Sequence, residues 1–170
     1  EVSSKRLIAL RDLLKKDSVT AFSTVPALFQ PFFDKASINT LYLEFKENQK
    51  IDRNELISNL VENGYDPADL VTKPSSYALR GSVIDIFPSN SKYPVRIDLD
   101  DDLISSISIF DTDTQKTTRK INSFIVRPSR GFVLNINSIK IFKKNWRSRF
   151  KDDGEIFESV SKGKFISGIE

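Results

Sequence analysis

The chain has 170 residues, a formal net charge of +3, 39 % hydrophobic residues and 29 % charged residues. That balance describes a globular protein of one domain, or one domain plus a fragment, and excludes a disordered chain. No apolar run approaches the roughly 18–20 residues of a membrane span, and the charge is too small to argue for nucleic acid by itself.

Cysteine and histidine are both absent. Disulfides and thiolate metal sites are thereby excluded, along with the commonest general base and the commonest zinc ligand. The absence of cysteine fits a cytoplasmic protein, the polar first residues predict no signal peptide, and the start at Glu1 with no methionine predicts a fragment of a longer protein.

A first helix starts at Ser3 or Ser4 and carries Leu7, Leu10, Leu13 and Leu14 at helical spacing. Val19–Ser23 reads as a short strand, and Pro26 opens a helix to about Phe33. Together they suggest the tail of an α/β domain. Thr40–Phe45 reads as a strand. Asp52 and Glu55 then have the spacing of a capping box, Leu56, Ile57, Leu60 and Val61 form one apolar stripe, and Gly64 closes the helix in a left-handed cap.

From Ser76 the period changes to 2. Tyr77–Phe87, Val95–Leu99, Ile104–Phe110 and Phe124–Arg127 read as strands of an antiparallel meander. After Pro128 the helical period returns, with Ile139, Phe142, Trp146 and Phe150 on one face and Lys140, Lys143, Lys144, Arg147 and Lys151 opposite. A last helix covers Glu155–Val160. The fold class is therefore α/β in the broad sense (α+β), an antiparallel-rich sheet domain with one capped helix, flanked by parts of another domain.

Arg80 and Arg96 are the chief candidates for function. The alternation of Val95, Ile97 and Leu99 sends Arg96, Asp98 and Asp100 to the other face, and if the strands pair, Arg80 shares it. Two readings stand: surface ion pairs worth little, or guanidinium forks offered to a partner's carboxylates. Asp85, inside an apolar run, either faces outward or meets a hydrogen-bond donor.

The Asp98–Asp102 cluster lacks the glycine and distant glutamate of a calcium loop and falls at a hairpin turn. Ser89-Asn90-Ser91-Lys92 matches a Ser-x-x-Lys pattern in a polar loop, where the lysine stays solvated. Gly163-Lys164 lacks the rest of a phosphate loop. No catalytic or metal site is expected.

The segments LRGSVIDIFP, YPVRIDLDDD and SSISIFDTDTQKT, followed by KKNWRSRF and IFESVSKGKFISGIE, resemble the N-terminal UvrB-homology region of the bacterial transcription-repair coupling factor family (Mfd). The last two resemble that family specifically, with no counterpart seen in UvrB. The resemblance implies three parts: 1–40 as the end of a UvrB-like domain 1a within a degenerate helicase-like α/β domain, 41–128 as a domain 2 that docks UvrA, and 129–170 as the helical start of domain 1b. It carries the family's docking arginines onto Arg80 and Arg96, and places Leu99 and Asp100 where the family often has two aromatics.

The reading that follows is a non-catalytic module of nucleotide excision repair that recruits UvrA to stalled RNA polymerase through Arg80, Arg96, Asp98, Leu99 and Asp100. RNA polymerase and DNA would be partners of other domains, and ATP and magnesium would serve only a translocase elsewhere in the full-length protein. Two alternatives remain. One is a DNA-binding domain using Lys116–Arg130 and Lys140–Lys151, with Lys140, Lys143, Lys144 and Arg147 as contacts. The other is a fragment of UvrB.

Overall fold

A computed structural model of the chain describes residues 2–15, 17–29, 38, 41–131, 133–164 and 166. They fall into two compact units, Glu1–Gly131 and Phe132–Glu170.

The first unit begins with helices α1 (Val2–Lys15) and α2 (Val25–Phe29), the latter with Pro26 in its first turn. The extension of α2 to Phe33 lies outside the described residues. Val19–Ser23 is not a strand: these residues are exposed and bond to no described strand, so alternation alone gives them nothing to pair with.

Strand β1 (Leu43–Lys46) pairs antiparallel with β8 (Ser123–Val126) in a two-stranded sheet. The main sheet has the order β2-β3-β4-β5-β6-β7. Its strands are β2 (Asp66–Pro67), β3 (Ser76–Arg80), β4 (Val83–Phe87), β5 (Val95–Asp100), β6 (Leu103–Phe110) and β7 (Thr117–Lys120). From β3 to β6 it is the expected antiparallel meander, β7 extends it as a strand the sequence did not mark, and β2 adds to β3 in parallel.

Two expectations need correcting. Tyr77–Phe87 is not one strand but the hairpin β3–β4, because Gly81 takes a φ of +58° at the turn. That left-handed backbone is open to glycine and strained for other residues. The strand at Phe124 leaves the meander for β1.

Helix α3 (Arg53–Glu62) packs on one face of the sheet through Leu56 and Leu60. Asp52 caps it, accepting from the amides of Asn54 (2.7 Å) and Glu55 (3.1 Å). The Gly64 amide donates to the Val61 carbonyl and the Tyr65 amide to the Leu60 carbonyl, with Gly64 at φ +82°. This is the doubly bonded, left-handed helix end that glycine favours. Ile57 is only partly buried and Val61 is exposed, so the stripe is narrower than its sequence suggests.

Beneath α3, Ile84, Ile86, Ile97, Ile104 and Ile107 are completely buried, each contributing about 1.5–3 kcal/mol by burial. A smaller cluster of Val71, Ala78, Phe87 and Phe110 forms separately.

In the second unit, Asn135 and Ser138 cap helix α4 (Ile136–Arg149) reciprocally. Phe142 and Trp146 of α4 meet Phe157 of helix α5 (Glu155–Ser161), each with ring centroids 5.9 Å away. Phe150 meets Trp146 in a tilted pair, ring centroids 4.5 Å apart, but is exposed.

Candidate protein-recognition face

Register decides which side chains share a face. Asp85 of β4 lies opposite Ala78 of β3 and Arg96 of β5, while Val83 lies opposite Arg80 and Asp98. Alternation then puts Arg80, Asp85, Arg96 and Asp98 on one side of the sheet, away from the isoleucine core. The expectation that Arg80 and Arg96 share a face is met.

Asp85 sits at the centre and is completely buried. Arg96 donates to it twice, from Nε to Oδ1 at 2.7 Å and from Nη2 to Oδ2 at 2.9 Å. Arg80 donates from Nη2 to the same Oδ2. A buried carboxylate is costly unless paired and hydrogen-bonded, and these three charge-assisted bonds supply the pairing. Asp85 therefore meets donors, the second of the two outcomes its sequence context allowed.

The two arginines differ in what they leave open. The Arg96 side chain is 17 % exposed and that of Arg80 43 %. Arg96 also donates from Nη1 to the Gln115 carbonyl at 3.1 Å and lies over the Phe110 ring, 4.7 Å from its centroid. The bonds to Asp85, more than any other influence, push the Arg96 pKa above its ordinary value. Arg96 is engaged within the chain, whereas Arg80 presents the rest of its guanidinium to solvent.

The carbonyl that receives Arg96 is held by the β6–β7 loop. Asp111 Oδ1 accepts from the Thr114 amide (2.8 Å), the Thr114 hydroxyl (2.9 Å) and the Asp113 amide (3.2 Å). The Thr114 groups hold the Asp111 carboxyl below the usual carboxylate range. Gln115 follows with a φ of +58°. Nothing in the sequence pattern marks this loop as part of the arginine site.

The remaining candidates spread out. Asp98 accepts from the Ser106 hydroxyl at 2.6 Å on the arginine face, and Asp100 is exposed at the end of β5. Leu99 does not join them. It is 7 % exposed within the core beneath α3, so its side chain is spent on packing. A register shift separates Asp98 from Leu99 in the β5–β6 pairing. Asp101 turns the hairpin at φ +52°, and among the described residues no three acidic side chains converge on a metal-sized site.

Ser89, of the Ser-x-x-Lys pattern, is tied to the backbone. Its amide donates to the Tyr65 hydroxyl and its hydroxyl to the Pro128 carbonyl. Of the basic segment Lys116–Arg130, Lys120 pairs with Glu47 at 2.8 Å and Arg130 with Asp66 at 3.9 Å. Lys120 is on β7 and Arg130 lies in the chain beyond β8, outside either sheet. In the second unit, Lys140, Lys144 and Arg147 are exposed and Lys143 partly so, with Arg147 over the Phe157 ring. No described helix is long and apolar enough to cross a membrane.

A sheet that holds a partly exposed guanidinium on its face has the chemistry to engage a carboxylate. The chain belongs to the UvrB interaction domain family, which matches residues 43–132.

Among curated proteins it is 31 % identical over 173 residues to the transcription-repair-coupling factor of Escherichia coli (strain K12), covering 100 % of this chain and 15 % of that protein. It is 32 % identical over 174 residues to that of Haemophilus influenzae, with the same coverage of 100 % and 15 %. It is also 27 % identical over 166 residues to UvrABC system protein B of Aromatoleum aromaticum, covering 93 % of this chain and 24 % of that protein. The chain spans about 15 % of the length of the coupling factors it matches. A UvrB match covering 93 % of the chain reaches past Arg130.

Proposed function

We propose that this chain is the UvrA-docking module of a transcription-repair coupling factor, engaging an acidic surface of UvrA through the β3–β5 face. Arg80 makes the contact, Arg96 supports it, and Asp98 and Asp100 flank it. Within a longer protein, such docking would bring the excision-repair machinery to stalled RNA polymerase. The polymerase, DNA, ATP and magnesium belong to domains outside this chain.

The observation that carries the reading is the exposed guanidinium of Arg80, fixed at one edge by a buried carboxylate. Arginine fixed in this way offers planar, paired donors that match a partner's carboxylate. The residue also falls where the family resemblance places a docking arginine.

The test is co-elution of the 170-residue chain with purified UvrA at physiological salt. The wild-type chain is expected to elute with UvrA and Arg80→Glu to elute alone. Co-elution of both to the same extent would remove Arg80 from the interface.

A further inference from the structure

We infer that Asp85 is the positioning residue of this face: its buried carboxylate, shared by Arg80 and Arg96, holds the Arg80 guanidinium in the orientation that a partner carboxylate engages. This inference rests on the docking reading above and adds a residue that makes no contact with the partner.

Stability alone does not account for Asp85. Its neighbours on the same side of β4 are Val83 and Phe87, and the adjacent cluster of Val71, Ala78, Phe87 and Phe110 is apolar. Replacing a buried ion pair by well-packed apolar groups is often neutral or stabilising. A carboxylate here instead fixes two guanidinia at one point of the sheet.

Arg96 completes the clamp from below, with Nε and Nη2 on Asp85 and Nη1 on the Gln115 carbonyl. The Asp85 oxygen Oδ2 is thereby set against Arg80 Nη2. An unrestrained arginine loses rotamer freedom when it docks, and a held one has lost much of it beforehand. Asp85 also offsets part of the Arg80 charge, so geometry and charge predict opposite effects of removing it.

The experiment titrates purified UvrA with the wild-type chain, Arg80→Ala, Asp85→Asn and the double variant, and records the melting temperature of each. Arg80→Ala is expected to bind about tenfold or more weakly. Asp85→Asn is expected to weaken binding about fivefold or more while still folded. The double variant should bind within about twofold of Arg80→Ala, because the two residues act as one unit.

Unchanged or tighter binding by folded Asp85→Asn overturns the inference and leaves the docking reading standing, as do losses that simply multiply. Wild-type binding by Arg80→Ala overturns the docking reading itself, and Asp85 with it. Should Asp85→Asn fail to fold, nitrogen-15 NMR of the wild-type arginine side chains decides. Separate Nη signals for Arg80, from slowed rotation about its Nε–Cζ bond, support the inference, and one averaged signal overturns it.

Discussion

Asp85 and Arg96 face each other across β4 and β5, and two bonds of 2.7 and 2.9 Å join their side chains. This pair places Arg96 at the base of the recognition face, where it also supports the fold. Arg96→Glu is therefore not the clean surface reversal that its strand alternation implies.

Arg96→Ala leaves the buried Asp85 with Arg80 alone, and Arg96→Glu sets a second carboxylate beside it. Removing one partner of a buried pair costs about 3–5 kcal/mol. Urea denaturation should show at least that loss for Arg96→Glu and a much smaller one for Arg80→Ala, whose side chain is 43 % exposed. Equal, small losses would mean that Asp85 does not depend on Arg96.

Gly64 ends α3 at φ +82°, and a Cβ placed there would lie 2.8 Å from Arg130 Cγ. Gly64→Ala requires both a strained backbone and a shift of Arg130. A loss of about 1–3 kcal/mol is expected from the left-handed position, measured as a fall in the urea midpoint. At the other end of the helix, Asp52→Ala should cost about 1 kcal/mol through the lost cap.

Tyr65 is buried, donating to the Arg127 carbonyl at 2.6 Å and accepting from the Ser89 amide at 2.9 Å. Burial pushes its pKa above the ordinary value, so at high pH the folded chain retains a proton that the unfolded chain has lost. Its contribution is complete below about pH 10, the unfolded value, and is lost as pH rises through the folded value. Tyr65→Phe should reduce the alkaline fall in stability. At neutral pH it should cost about 1–3 kcal/mol, through the Ser89 amide left unpaired and the Arg127 carbonyl left with only the longer Ser89 hydroxyl bond at 3.4 Å. An unchanged alkaline slope would assign that fall to other groups, such as Tyr42 and Tyr77, which burial also raises.

The parts of the fold that follow local rules were legible in the sequence. Asp52 and Gly64 bound α3 by caps that need only neighbouring residues, and the alternation through β5 sets its two faces. The parts that depend on distant pairing were not. Thr117–Lys120 has no apolar residue to mark it, and forms β7 because β6 offers an edge.

Gly81-Ser82 carried a hairpin signal inside an otherwise continuous run, and splitting that run is what brings Asp85 opposite both Ala78 and Arg96. Once Asp85 is placed, the site changes from two independent arginines to one cluster. Leu99 shows the same limit from the other side. Its place in the family pattern suggested a contact, but its parity on β5 sends it into the core.

The most direct measurement is a calorimetric titration of purified UvrA with the wild-type chain, Arg80→Glu and, as a control for general basic charge, Lys144→Glu. Arg80→Glu should lose on the order of 2–5 kcal/mol of binding free energy if the partner carboxylate is left buried and unpaired, while Lys144→Glu binds like the wild type. Undiminished binding by a folded Arg80→Glu chain would contradict the account.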